Sequence, residues 1–369
     1  MRKTNLLVLL IFALALGQIL FGLTKVLLQT DLIDFRVYYE ASQDFLKGIN
    51  PYQPLYFQKI PFNYPPSAFI FLLPLVLFPL KVSQIIWLVL SFLFLFGFAW
   101  ILFQLYIPRK EWWLKLLLTS FLLQNFPTKF TLVMGQANFL VLFLLITSFF
   151  FYLRQKSHLA GLFLGLATAL KISPIFLIIF FLARKELKIV VSTLITFIAA
   201  NLIFVFSSLE AAVDYFQTKL PELLWTTNLG YYYDQSLLAF LSRLGLEGPA
   251  WRLLNLFLLV GGVIFLLLKF QKTKSQTADL KFFSLLLLLI TITNSFAWQH
   301  HLVFLFPAFL SASFYLIEKK EPLFGVILAL AALLVGLHFR DPEHFLLTNP
   351  LIASHGLIGS FILGGLLLR

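Results

Sequence analysis

The chain has 369 residues, 60% of them hydrophobic and 12% charged, with a mean hydropathy of +0.92. Soluble domains carry roughly 25% charged residues, so half that share cannot clothe a chain of this length in water, and lipid must be its main solvent. The absence of cysteine excludes disulfides and thiolate metal sites. The net charge of +12, which in a soluble protein would suggest nucleic acid, is better explained by basic residues held at a cytoplasmic face.

Met1-Arg2-Lys3 precedes an apolar run that reaches about Val26 with no small-residue cleavage site before Asp31. It reads as a first transmembrane helix rather than a signal peptide, with its N-terminus in the cytoplasm. The polar stretch 29–66 should then be extracytoplasmic. The apolar segment 67–80 is short and carries Pro74 and Pro79, so it is expected to be re-entrant or interfacial. Spans are expected at about 84–107, 112–128, 136–153, 188–206, 251–269, 281–294, 301–317, 322–337 and 351–367. Between 159 and 182 lie two short apolar pieces interrupted by Lys171, Ser173 and Pro174. The fold expected is a single all-α membrane domain, 1–369, of about twelve transmembrane helices.

If 66–80 does not cross, the clusters Arg109/Lys110/Lys115, Arg154/Lys156, Arg184/Lys185/Lys188, Lys269–Lys281, Lys319/Lys320 and Arg369 all fall inside. The same threading puts Asp34, 124–138, Lys171, 207–235, 294–301 and 338–349 outside, together with or near five of the six histidines, His300, His301, His338, His344 and His355. Polar residues that are not basic flanks thus gather on one side.

Asp34 lies just beyond the first helix, beside Tyr38 and Tyr39. It is either an ordinary interfacial acid or a general base. Tyr38, Tyr39, Tyr52, Tyr56 and Tyr64 suit an aromatic belt equally well. The pieces flanking Lys171 are each too short for a hydrocarbon core about 30 Å thick, so they are expected to be half-helices leaving Lys171 below the outer surface. The alternative is one long helix with a snorkelling lysine. A cation there would pair with an anion such as a lipid phosphate. Gly161 and Gly165 form a helix-packing GxxxG.

Trp298-Gln299-His300-His301 opens a span. Adjacent helical histidines point about 100° apart and lack a third ligand, so contact with phosphate fits better than zinc. Asp234-Gln235-Ser236, followed by Arg243, reads as a capped helix start. Gly135-Gln136-Ala137-Asn138 is another helix start, with amides able to bond a sugar.

In their order along the chain, Asp34 with Tyr38-Tyr39, Gly48 through Tyr52, Tyr64-Pro65-Pro66, Gly135 through Asn138, Gly161 through Pro174, Asp234-Gln235-Ser236 with Arg243, and Trp298 through His301 resemble glycosyltransferase family 87. This is a group of polyprenol-phosphate-sugar-dependent transferases of the GT-C class. The sequence departs from the family pattern at Asp234, where Asn is usual, at Asn294-Ser295, and at Gln299, often an acidic position. The resemblance implies a GT-C-type helical bundle and a polyprenyl-phosphate donor, often of mannose. It further implies inverting transfer to a lipid or glycan acceptor outside the inner membrane, with Asp34 as base.

Phosphate is already a good leaving group once its charge is stabilised, so one carboxylate suffices where an inverting glycosidase needs two. Lys171, His300, His301 and Arg243 are the candidates to hold the donor phosphate. Tyr38, Tyr39, Tyr64, Gln136, Asn138, Gln235 and Trp298 are the candidates to contact sugar or acceptor. No metal, no cofactor beyond the donor, and no nucleic-acid partner is expected. The competing class is a transporter or lipid flippase, which predicts inverted repeats that the sequence does not show.

Overall fold

The computed structural model describes residues 3–53, 60–225, 231–339 and 349–369, which leaves Tyr56 and His344 outside the described residues. In chain order the main helices are α1 (Lys3–Gln29), α2 (Ile33–Leu46), the short apolar α3 (Pro66–Leu77), α4 (Leu80–Tyr106), α5 (Trp112–Gln124), α6 (Phe126–Met134), α7 (Asn138–Leu153), α8 (Ser157–Leu170), α9 (Ser173–Ala183) and α10 (Leu187–Val205). They continue with α11 (Leu209–Asp214), α12 (Leu220–Trp225), α13 (Leu237–Arg243), α14 (Pro249–Phe270), α15 (Gln276–Thr293), α16 (Gln299–Lys319), α17 (Pro322–Gly336) and α18 (His355–Leu367). Among the described residues there is no strand, and Asp234 and Trp298 form an isolated antiparallel bridge.

Among the described residues, six helices are long and apolar enough to cross a membrane: Leu6–Leu28 of α1, then α4, α10, α14, α15 and α16. The pair α6 and α7, bent by 117°, forms a seventh, broken segment, and α3, α8, α9, α17 and α18 are shorter apolar helices. The chain is therefore a polytopic all-α membrane protein, with fewer full-length spans than the sequence suggested. The span expected at 112–128 is broken at Asn125, whose backbone is extended. Pro127 has no N–H to give Leu123, so one helix cannot run through it; Thr128 instead donates its hydroxyl to Leu122 O at 2.6 Å.

The chain divides into two compact units. The first is Met1–Leu105 with Thr131–Trp225. Here α8 packs between α7 and α10. A Cβ on Gly161 would lie 2.4 Å from Ser192 Cβ, and one on Gly165 would lie 2.5 Å from Thr196 Cβ, so the two glycines let α8 and α10 touch backbone to backbone. The short α3 is too brief to span about 30 Å of hydrocarbon. It is tied at both ends: Ser67 donates to Ala169 O at the end of α8 (2.7 Å), and Tyr39 donates to Phe78 O (2.8 Å). Phe69 stacks on Phe45 and Phe62 beneath it.

The second unit is Tyr106–Phe130 with Thr226–Arg369. Its core is α15, buried along most of its length, with α16 and α18 against it. Helix α14 meets α15 through Asn255, which donates to Thr293 O at 2.8 Å, while most of its apolar surface stays exposed. A membrane helix needs that pattern on its lipid side.

Candidate active site

Helix α2 is amphipathic. Leu32, Phe35, Tyr38, Tyr39 and Ser42 are buried, while the Arg36 side chain points outward and pairs with Glu40 at 2.7 Å. Asp34 sits in the first turn, where backbone N–H groups favour a carboxylate, and four residues before Tyr38, hence on the same face.

The second wall is the turn after α6. Gly135 N donates to Leu132 O, and Gln136 N donates to Thr131 O. With Gly135 at φ +71°, this is a Schellman ending, which requires a left-handed residue after the helix. The turn swings Gln136 back over α2. Its Nε2 donates to Asp34 Oδ2 at 2.5 Å, and its Oε1 accepts from Tyr38 (3.0 Å) and Tyr64 (2.9 Å). The two phenol oxygens are 2.7 Å apart, and Tyr52 donates to Tyr64 O.

Lys171 supplies the cation. Helix α8 stops after 14 residues, and Lys171 follows in extended conformation at φ −146°, ψ 128°. Pro174 then opens the next piece. The two half-helices expected from the sequence are present, and Lys171 Nζ donates to Asn138 Oδ1 at 3.2 Å. Burial lifts the Asp34 carboxyl to about 6, although the Gln136 amide and the Lys171 charge pull it back toward ionisation.

The neighbouring acids are engaged elsewhere. Asp31 bonds Lys81 at 2.8 Å, which holds its carboxyl below the usual range, and Glu40 and Asp44 pair with Arg36 and Lys47. A carboxylate near neutrality beside a lysine is an arrangement for taking a proton while a negative group is held.

Several residues singled out in the sequence have other tasks. Tyr39 turns away from Asp34 to bond Phe78 O. The Asn138 side chain is fully buried and serves Lys171. Gln235, also fully buried, donates to Tyr232 O and Ala353 O and accepts from Gly356 N, so its amide is spent on the fold of the second unit. Arg243 donates to Tyr231 O, Asp234 O and Ser354 Oγ, which makes it a clasp on the loop before α13. Ser236 is the cap of α13, accepting from Ala239 N, while Asp234 accepts from Ser236 N and Ala297 N.

His301 accepts from Trp298 N through Nδ1, so in the neutral ring the proton sits on Nε2. His300 lies edge-on to Phe130, and Trp298 stacks near-parallel to Tyr233. Asp34, Tyr38, Tyr64, Gln136, Asn138 and Lys171 come together in the first unit; Gln235, Arg243, Trp298, His300 and His301 belong to the second. Two contributors escaped the sequence reading. Trp87 donates to Gly135 O at 2.8 Å and lies edge-on to Tyr38, and Ser67 anchors the end of α8. Nothing in their local sequence separates such a tryptophan or serine from ordinary packing.

No match was found among curated proteins. The model of glycosyltransferase family 87 matches residues 62–297, well over half the chain. The match takes in Tyr64, Gln136, Asn138, Lys171, Gln235 and Arg243, begins after Asp34, and ends just before Trp298. The chain therefore belongs to glycosyltransferase family 87: it is a multi-pass membrane glycosyltransferase.

Proposed function

We propose that this glycosyltransferase moves a hexose, mannose being the sugar the family resemblance favours, from a polyprenyl-phosphate donor to a hydroxyl of a lipid or glycan acceptor. The reaction takes place on the extracytoplasmic side of the inner membrane. The observation that carries the reading is the Asp34 carboxylate, lifted by burial to about 6 and held by Gln136 with the Lys171 charge nearby. Asp34 accepts the proton of the acceptor hydroxyl as that oxygen attacks the anomeric carbon. The bond from the anomeric carbon to the phosphate oxygen breaks on the opposite face, so the configuration inverts. The phosphate leaves with the electron pair, its charge stabilised by Lys171. The proton on Asp34 then passes to water.

The one-sided distribution of polar residues in the threading supports the extracytoplasmic placement, since Asp34 and Tyr64 of 29–66, Gln136 of 124–138 and Lys171 come from three segments assigned to the same side. The test is Asp34→Asn, which keeps size and hydrogen-bonding shape but cannot take a proton at neutral pH. Transfer from a radiolabelled polyprenyl-phosphate sugar in liposomes should fall by about 10²–10⁴-fold, with donor binding retained. Activity at the wild-type rate would remove Asp34 from the mechanism. Failure of the native protein to transfer from any polyprenyl-phosphate sugar would remove this donor class.

A further inference from the structure

Gln136 and Asn138 stand on one short turn, and their side chains reach two different charged groups. Gln136 holds Asp34 Oδ2; Asn138, fully buried at the start of α7, accepts from Lys171 Nζ. The turn is itself fastened on three sides. The Schellman bonds tie it to α6 and the Trp87 indole holds Gly135 O. It also presses so closely on α2 that a Cβ on Gly135 would lie 2.6 Å from Phe35 Cβ.

The Gln136 amide has one orientation open to it. Tyr38 and Tyr64 are donors with one proton each, and three oxygen contacts link them with Gln136. The ionised carboxylate can only accept, so the Gln136 N–H groups face Asp34 and the amide oxygen faces the phenols, which donate to it. Asp34 Oδ2 accepts that N–H, so Oδ1 is the less encumbered oxygen for a proton.

We propose that the turn 135–138 is the positioning element of this site, with Gln136 orienting the Asp34 carboxylate and Asn138 orienting the Lys171 ammonium, and neither amide contacting the transferred sugar. This inference rests on the reading of Asp34 as the base, but it makes a claim about the carboxylate that can be measured without turnover.

Infrared difference titration of the carboxyl band, wild type against Asp34→Asn in lipid nanodiscs, reads the midpoint of Asp34. Gln136→Ala removes a donor to the ionised form and should raise that midpoint by roughly one pH unit. The acid limb of the transfer rate should move with it, while donor KM stays within about twofold, since no ligand contact is lost. Tyr64→Phe, which keeps the amide but loosens it, should move the midpoint the same way and less far; it serves if Gln136→Ala fails to fold. Asn138→Ala should raise donor KM by roughly tenfold or more through the displaced lysine. An unmoved Asp34 midpoint in both Gln136→Ala and Tyr64→Phe would overturn the proposal, as would a Gln136→Ala defect confined to donor KM. Wild-type transfer by Asp34→Asn would overturn the reading of the base instead, and the infrared midpoints would still show whether Gln136 holds the carboxylate.

Discussion

Gln136 Nε2 donates to Asp34 Oδ2 across 102 residues of sequence, joining the turn before α7 to the first turn of α2. That single bond makes the carboxylate of α2 part of a site built largely from later segments, including segments inside the family match, which itself begins only at residue 62. It also ties the protonation state of Asp34 to the placement of a neutral amide.

A pH profile should show this directly. A general base works ionised, so transfer should fall tenfold per unit as pH drops below about 6. The measurement is kcat/KM against pH in liposomes, with membrane integrity checked at each point. A profile flat from pH 5 to 8 (an interval spanning the midpoint by about one unit below and two above) would rule out Asp34 as the titrating base.

Gly135→Ala should be costly although it adds one methyl group. The residue is at φ +71°, where an L side chain loses about 1–2 kcal/mol, and the new Cβ would collide with Phe35 Cβ and Leu32 Cβ. The expected result is a lower melting temperature in detergent together with a loss of transfer larger than the stability change explains. Melting and activity unchanged from wild type would mean that the turn can be rebuilt without a left-handed residue.

Arg243→Ala should act on folding rather than on donor affinity. Its guanidinium joins Tyr231 O, Asp234 O and Ser354 Oγ, and hydrogen bonds from a charged group contribute about 1.5–3 kcal/mol. Thermal unfolding should shift downward, with donor KM of the folded fraction unchanged. Normal melting with a raised donor KM would return Arg243 to the phosphate ligands.

The threading predicts opposite sides for two exposed positions, Gln276 at the start of α15 and Ser207 after α10. In this cysteine-free chain, Ser207→Cys should react with an impermeant maleimide in intact cells, and Gln276→Cys only after permeabilisation. The reverse pattern would invert the topology and place Asp34 in the cytoplasm.

The membrane helices were legible in the sequence because a charge-free run of about 20 residues has no other stable home than lipid. The break at Lys171 was legible for a related reason: neither flanking piece is long enough to cross, and Pro174 cannot continue a helix. The break at Asn125 could have been read from Pro127 by the same rule, but the apolar run on both sides masked it. Tyr38 and Tyr39 show where such reading stops. They are neighbours of the same type, yet successive helical positions differ by about 100°, so one joins Gln136 and the other Phe78 O. The partner of Asp34 lay beyond reach altogether, since a pairing across 102 positions has no local signature. Gln235 and Asn138, polar and suited to a sugar, are paired instead with backbone and with Lys171, because buried amides must be paired wherever they lie.

The short helix α3 is fastened by Ser67 to Ala169 O at one end and by Tyr39 to Phe78 O at the other. Two anchors a fixed number of residues apart make the length of this segment matter more than its composition. Leu75 or Leu77 could change to another apolar residue with modest effect. A single residue inserted or deleted between Ser67 and Phe78 would shift one anchor out of register, freeing either a carbonyl of α8 or the Tyr39 hydroxyl inside the protein. Natural variation here should therefore consist of substitutions, with gaps confined to the chain outside the two anchors.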